Sequence, residues 1–193
     1  MTSVRKEIPA RTFKVQYSSY RQYKEPLRRD FNKRCGYCDD IDHHCNGKKG
    51  YHIDHFRPKN SFPELSRDYS NLVYSCPYCN GGKGADWPAG NSPETFIGDE
   101  GYIDPCLSTY DNHFARSDDG SIKPLTKLGQ YIFKKLNLGL RRHKLICMLE
   151  ILEGLLKQIG IALENNKDYD LLNKQSAVIR EYLLLQEHFR ATL

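Results

Sequence analysis

The sequence has no unbroken run of about 18 apolar residues, the length that a membrane-spanning helix needs. Its first residues, MTSVRKEIPARTFKVQY, lack the apolar core of a secretory signal, which favours a cytoplasmic protein. Internal repeats and low-complexity segments are also missing from the chain. These absences leave a soluble globular protein as the expectation.

Composition and length agree with that expectation. With 39% hydrophobic and 27% charged residues, the chain does not have the composition of a disordered protein. Its 193 residues suffice for one well-packed domain, or for a small module with a second one appended. The formal net charge is +5, and basic residues are concentrated in RQYKEPLRRDFNKR. This charge, beside Tyr and Phe residues, favours a phosphate-backbone partner, although a solvated helix face has the same composition.

The cysteines predict a metal site. The chain has seven, and a cytoplasmic protein keeps them reduced, which argues against a disulfide framework. Four fall into two Cys-x-x-Cys pairs, in RCGYCDD and SCPYCNG. Two such pairs fit one tetrahedral zinc ion, and a site made only of cysteines is closed and carries out no chemistry by itself. The structural zinc ligands predicted in this way are Cys35, Cys38, Cys76 and Cys79.

A competing set of ligands follows closely behind the first pair. The segment DDIDHHCNG offers His43, His44 and Cys45, and local ligands compete well with distant ones when a loop is flexible. Cys106 and Cys147 stand alone, and we expect them to be small buried apolar residues.

The segment KKGYHIDHF is short and rich in aromatic and β-branched residues, which predicts a strand. Alternation along a strand places His52 and Asp54 on one face and His55 on the other. Asp54 and His55 can therefore enter one site only where the chain turns, and Pro58 with the polar loop after it favours such a turn.

Oxygen donors in this region predict a second metal, because Mg²⁺ prefers oxygen ligands. Asp54 offers a carboxylate, and Asn80, directly after the second cysteine pair, offers an amide oxygen that the zinc site would fix in place. A neutral histidine beside such a metal is suited to accept a proton from water near pH 7. These parts fit the hydrolysis of a phosphodiester.

The stretches HIDHFRPK and NLVYSCPYCNGGKG resemble the ββα-metal core of HNH endonucleases. The resemblance implies His55 as the general base and Asp54 and Asn80 as ligands of a catalytic Mg²⁺ or Mn²⁺. It implies that Asn71 steadies the loop of the base through backbone hydrogen bonds. Asn80 stands where that family more often has His, which disfavours Zn²⁺ or Ni²⁺ at the catalytic position. The residues expected to contact substrate phosphate are Lys83, Arg57 and His52.

Later segments, IDPCLSTYDNHF and DDGSIKPL, and the helical tail are similar to a narrower group. This group comprises the small HNH proteins encoded beside an ATPase in Septu-type and retron-linked anti-phage systems. The resemblance implies an ATPase from the same operon as the main partner, with the C-terminal helices as its docking surface.

The sequence predicts an α+β fold, with a nuclease domain at residues 1–120. There SYRQYKEPLRRDFNKR predicts an N-terminal basic helix, provided that Pro26 lies in its first turn. NLVYSC predicts a second strand, and a helix starts at Pro77 although several glycines weaken it. GYIDPCLSTYDNHFARSDDGSIKPL predicts a hairpin that turns at DDG.

The pattern of residues 121–193 predicts a helical region, either a hairpin or a three-helix unit, that packs on the first domain. LTKLGQYIFKKLNL supplies its first segment, and NNKD breaks the pattern between two long helices. The spacing of three and four residues is that of a packed helix face or of a partner-binding face. The residues that carry it are Leu145, Leu149, Leu152, Leu156, Ile159, Leu163, Leu171, Val178, Tyr182, Leu185 and Phe189.

The sequence therefore predicts a metal-dependent nuclease that cleaves DNA with little sequence preference, since no base-reading element stands out. One alternative keeps the same site and changes the substrate to RNA, for example tRNA, because the core grips the backbone. The other is a zinc-stabilised nucleic-acid-binding adaptor for the ATPase, without catalysis. Such an adaptor would need neither His55 nor Asn80, which favours the enzyme.

Overall fold

The structure, a computed structural model, describes residues 1–165 and 168–192. Contacts between Cα atoms divide the chain into two compact units, one made of residues 1–118 and 122–139, the other of residues 119–121 and 140–193. Within the described residues, no helix is both long and apolar enough to cross a bilayer.

The described residues form α-helices and antiparallel two-stranded sheets, which confirms the α+β class. The helices are α1 (Lys24–Asp30), α2 (Gly47–Gly50), α3 (Pro77–Lys83), α4 (Lys127–Lys135), α5 (Arg141–Asn165) and α6 (Tyr169–Arg190). The strands are β1 (His52–His55), β2 (Leu72–Ser75), β3 (Phe96–Ile97), β4 (Glu100–Gly101), β5 (Phe114–Arg116) and β6 (Ile122–Pro124). Strands pair as β1 with β2, β3 with β4, and β5 with β6.

The centre of the first unit is the β1–β2 hairpin followed by α3. His52 lies opposite Ser75, and His55 opposite Leu72, at the two ends of the pairing. All four residues of β2 are buried, which is why its sequence is an uninterrupted apolar and aromatic run up to its last residue. Cys76 then caps α3, with its Sγ accepting a hydrogen bond from the backbone N–H of Cys79 at 3.4 Å.

The predicted basic helix is present but shorter than its segment. Residues 20–23 form a 3₁₀ turn and α1 begins at Lys24. Pro26 is the third residue of α1, within the first turn, where a missing N–H breaks no helical hydrogen bond. The side chains of Leu27 and Phe31 are buried in the core of this unit, so α1 is fixed by packing as well as by its charges.

The hairpin predicted over residues 101–125 forms only in its second half. β5 and β6 flank the DDG segment as expected, whereas residues 108–113 form a 3₁₀ helix. Gly101 pairs instead with Phe96 in the β3–β4 sheet. The backbone of Gly101 has a φ of +134°, and a Cβ there would lie 2.4 Å from the Phe96 Cα. Only glycine fits such a close approach. Because Gly101 pairs with Phe96, it does not take part in the predicted hairpin.

The second unit contains α5 and α6, which pack against each other. The Tyr182 hydroxyl of α6 donates to Glu153 of α5 at 2.8 Å. The predicted break between the helices begins at the end of α5, but Asn166 and Lys167 lie outside the described residues. The apolar residues predicted at a spacing of three and four form the less exposed side of α5 and α6. Five of them are buried, namely Leu145, Leu149, Leu152, Ile159 and Phe189, and the others are partly buried.

Two adjacent glycines in α3 have different surroundings. An added Cβ at Gly82 would lie 2.4 Å from the Lys135 carbonyl oxygen and 2.5 Å from the Asn137 Nδ2, whereas one at Gly81 would meet nothing within 4 Å. We therefore expect Gly82→Ala to lower the free energy of unfolding by about 1–3 kcal/mol, because α3 and the end of α4 would have to separate.

Gly81→Ala is the matched control, since it adds the same methyl group one residue away. It should leave stability unchanged or raise it by up to about 1 kcal/mol, the helix-propensity gain of Ala over Gly. Chemical denaturation of both variants measures the difference. Equal stability of the two variants would contradict the close packing of α3 on the end of α4.

Candidate functional site

The two Cys-x-x-Cys turns meet in one buried cluster. We refer to residues 35–38 as the first knuckle and to residues 76–79 as the second knuckle. The Sγ atoms of Cys35, Cys38, Cys76 and Cys79 all lie within 4.8 Å of one another, and all four side chains are buried. The sulfurs of Cys38 and Cys76 are 3.8 Å apart. Thiolates bound to tetrahedral zinc at about 2.3 Å stand about 3.8 Å from each other. The cluster can therefore hold zinc.

The competing ligands do not take part in this cluster. His43, His44 and Cys45 belong to a 3₁₀ segment behind the first knuckle, and the group of four buried thiols is complete without them. The backbone explains this separation: Asp39 has a φ of +65°, and the N–H of Asp39 donates to the Cys35 carbonyl at 3.0 Å. The chain thus turns back tightly at the first knuckle before it reaches the histidines.

Asp54 lies in a buried polar network. Its side chain is almost fully buried, and its Oδ2 accepts a hydrogen bond from the Tyr37 hydroxyl at 2.5 Å. The Lys83 ammonium lies 3.3 Å from Oδ1 and 3.2 Å from Oδ2. Burial raises the pKa of Asp54 above its ordinary value, and the positive charge of Lys83 and the Tyr37 hydrogen bond act in the opposite direction.

Lys83 is not placed to contact a phosphate as expected from the sequence. The residue is 1% exposed, and its ammonium also donates to the backbone carbonyl of His55 at 2.9 Å. A buried lysine needs a partner for its charge, and the buried carboxylate of Asp54 provides one. Lys83 therefore points into the protein from α3.

His55 ends β1 and is held by two neighbours. Its Nε2 lies 2.9 Å from the Ser66 carbonyl oxygen, and its ring contacts Tyr20 edge-on with centroids 4.8 Å apart. A carbonyl only accepts, so Nε2 carries the proton of the neutral ring and Nδ1 is left as the acceptor. Burial lowers the pKa of His55, which favours this neutral form.

Asn71 fastens the loop that follows β1. Its Oδ1 accepts from the backbone N–H of Arg57 at 2.8 Å, and its Nδ2 donates to the Arg57 carbonyl at 3.0 Å. Its own carbonyl accepts from the Phe56 N–H at 2.8 Å. These bonds lie directly beyond His55 and are of the kind that the family resemblance implies for Asn71.

Asp54, His55 and Asn80 line one cavity of about 270 Å³, although strand alternation would separate the first two. β1 ends at His55, and the chain bends away there, so neighbouring side chains enter the same space. The Asn80 amide, on α3, makes no hydrogen bond to any described residue. Other residues around the cavity include Tyr20, Pro58, Lys59 and Asn60.

The other two residues expected at a phosphate lie outside this cavity. The Arg57 guanidinium donates to the carbonyls of Ser92 and Pro93, and it stacks over Phe62 and Trp87 at 5.2 Å and 5.3 Å from their ring centroids. It therefore ties two loops together. His52 is exposed at the opposite end of β1 from His55.

Two tyrosines of the site were not predicted from the sequence. Tyr37 contacts Asp54, and Tyr20 contacts His55. The position of Tyr37 inside the first Cys-x-x-Cys was a usable signal, because a residue held between two zinc ligands has a fixed place. Tyr20 gave no signal, because its contact with His55 depends on the path of the chain between residues far apart in sequence.

Comparison with known proteins agrees with this geometry. The HNH endonuclease family model matches residues 35–86, from the first knuckle to just beyond α3. Residues 35–86 are an HNH domain. The Septu protein PtuB of Bacillus thuringiensis is 34% identical to this chain over 83 residues, which are 42% of this chain and 28% of that relative. The chain thus matches little more than a quarter of that relative, and no solved structure matches it.

The donor set of the HNH domain fits a small hard cation. The Asp54 carboxylate has lone pairs beyond those used by Tyr37 and Lys83, and Asn80, whose side chain has no hydrogen bond among the described residues, lines the same cavity. Two oxygen donors with room for water are how Mg²⁺ is commonly held. The cavity can thus take a metal separate from the thiol cluster.

The assignment of the four cysteines as zinc ligands can be tested by substitution. Cys79→Ala should reduce bound zinc from one ion per chain to none and destabilise the protein, because metal binding contributes directly to folding. Cys45→Ala removes a thiol near the first knuckle and should keep one zinc. Elemental analysis of both purified proteins measures this. Zinc loss in Cys45→Ala, with zinc kept in Cys79→Ala, would favour the competing ligand set.

Proposed function

We propose that this protein is a metal-dependent HNH endonuclease that hydrolyses phosphodiester bonds, with DNA as the favoured substrate. The observation that supports it most is the convergence of Asp54, His55 and Asn80 on one cavity beside the four-thiol cluster. These residues are a carboxylate, an imidazole and an amide, the groups that metal-assisted hydrolysis requires.

His55 is the proposed general base. The Ser66 carbonyl fixes its Nε2 as the protonated nitrogen, so Nδ1 is the atom that takes a proton from the attacking water. The Tyr20 ring and the Asn71-bound loop limit the movement of the imidazole. A base held in this way keeps its geometry while the substrate binds.

Asp54 and Asn80 are the proposed ligands of a catalytic Mg²⁺ or Mn²⁺, and the four cysteines those of a structural Zn²⁺. The catalytic ion would stabilise negative charge on the phosphate and on the departing oxygen. Asp54 contributes the negative charge of the site. Asn80 contributes a neutral oxygen, positioned by the helix that starts at the second knuckle.

Lys59 takes the place of Lys83 in the proposed contact with substrate phosphate. It lines the cavity, and its ammonium lies 5.5 Å from the Tyr20 ring centroid. A cation at the mouth of the cavity can bind the backbone of a nucleic acid without reading its sequence.

The similarity to a Septu protein supports a role in anti-phage defence, with an ATPase of the same operon as the proposed partner. The second unit is the proposed docking surface. Its helices expose apolar side chains, namely Ile151, Leu155, Ile161, Leu172, Ile179, Leu183 and Leu184. Exposed apolar residues in such number are typical of interaction surfaces.

Nuclease activity is tested with plasmid DNA and total RNA in Mg²⁺ and Mn²⁺, with and without the ATPase neighbour. His55→Ala should reduce cleavage by a factor of about 10²–10⁴, the usual contribution of a general base, while bound zinc stays unchanged. His43→Ala, which truncates an exposed histidine outside the cavity and outside the four-thiol cluster, is the matched control and should cleave like the wild type.

Each other outcome changes the proposal in a defined way. Cleavage that survives in His55→Ala would place the base elsewhere. Degradation of RNA with intact plasmid would change the substrate and keep the site. A wild-type protein that cleaves neither substrate, even with the ATPase present, would favour the non-catalytic adaptor.

The docking surface has its own test. Leu183→Glu places a charge on the exposed face of α6 and should abolish co-purification with the ATPase. Leu125→Glu is the control, because Leu125 is equally exposed, at 53%, but lies in the first unit. Loss of the complex in Leu125→Glu, with Leu183→Glu still bound, would move the docking surface to the first unit.

A further inference from the structure

Tyr37 connects the thiol cluster to the catalytic cavity. It lies between Cys35 and Cys38 in the first knuckle, its side chain is fully buried, and its hydroxyl donates to Asp54 at 2.5 Å. A carboxylate only accepts hydrogen bonds, so the phenol of Tyr37 is the donor in this contact.

The backbone carbonyl of Tyr37 has a buried hydrogen-bond partner of its own. The buried Tyr110 hydroxyl donates to the Tyr37 carbonyl at 2.9 Å. With Cys35 and Cys38 held at the cluster, both ends of the residue are restrained. The position of its hydroxyl therefore depends on the geometry of the first knuckle.

Asp54 receives a contact from the second knuckle as well. The second knuckle opens α3, and Lys83 at the end of α3 lies 3.2 Å from the Asp54 carboxylate. The first knuckle and the helix that begins at the second knuckle thus each contribute one hydrogen-bond donor to the same buried carboxylate. A change in the distance between the knuckles would move one donor relative to the other and turn the carboxylate.

We propose that Tyr37 is a positioning residue that transmits the geometry of the zinc cluster to Asp54 and thereby sets the affinity of the catalytic metal site. The proposal rests on the proposed function in one respect, namely that Asp54 is a metal ligand. The hydroxyl of Tyr37 touches neither the metal nor the substrate in this account, and it acts only by orienting the carboxylate.

A purely structural role for Tyr37 predicts different behaviour. Any buried hydroxyl satisfies a polar neighbour, and its loss lowers stability without altering the metal requirement. Loss of a hydrogen-bond partner of a metal ligand instead costs about 10- to 100-fold in metal affinity. Metal affinity in the folded, zinc-loaded protein therefore separates the two roles.

The test compares Tyr37→Phe with Tyr110→Phe in the full chain loaded with zinc. Tyr110→Phe is the matched control, because it removes a buried hydroxyl bonded to the same knuckle but not to Asp54. Mn²⁺ affinity is measured by electron paramagnetic resonance, and Asp54→Ala identifies the Mn²⁺ bound at this site. Zinc content is determined for every protein.

We expect Tyr37→Phe to keep one zinc and to bind Mn²⁺ about 10- to 100-fold more weakly, while Tyr110→Phe binds it like the wild type. DNA cleavage by Tyr37→Phe should recover when the Mn²⁺ concentration is raised by the same factor. A merely destabilised enzyme would not recover in this way.

Four results would overturn the proposal. Unchanged Mn²⁺ affinity in Tyr37→Phe, or an equal loss in Tyr110→Phe, would show that the hydroxyl does not position Asp54. Loss of zinc in Tyr37→Phe alone would show that the hydroxyl builds the knuckle itself. Mn²⁺ binding that persists in Asp54→Ala would remove the metal site of the proposed function, and the positioning role with it.

Discussion

Four thiols from two distant segments meet in one buried cluster, and most of the first unit depends on that contact. The first knuckle follows α1, while the second begins directly after β2 and forms the start of α3. A metal bound to both knuckles therefore fixes the helix that carries Asn80 and the tyrosine that contacts Asp54. A four-residue hairpin is only marginally stable alone, so β1 and β2 depend on the surrounding hydrophobic core and on this cluster.

The second constraint is the charge of Asp54. A buried carboxylate is costly without partners, and Tyr37 and Lys83 supply them. The same Lys83 ammonium bonds the His55 carbonyl, so the proposed metal ligand and the proposed base share one anchor. Stability and the proposed catalytic geometry thus depend on the same buried network, which links the fold directly to the candidate site.

Much of this site could be predicted from the sequence, because the pairs of cysteines and the order Asp54–His55, Asn71, Asn80 are local signals. The expectations that the structure does not match concern contacts between segments that are far apart in sequence. Lys83 lies one turn beyond Asn80, which predicts a phosphate contact, yet its ammonium pairs with the buried carboxylate of Asp54. The hairpin over residues 101–125 was half wrong for a similar reason, since Gly101 pairs with an earlier strand. Local patterns carry no information on such partners.

In the proposed mechanism, one chain holds a structural metal and a separate catalytic one. Anomalous X-ray scattering from crystals soaked in Mn²⁺, recorded at the zinc and manganese absorption edges, tests it directly. We expect a zinc peak among the four cysteine sulfurs and a manganese peak between Asp54 and Asn80. A single peak at the cysteines, or manganese bound away from Asp54, would contradict it.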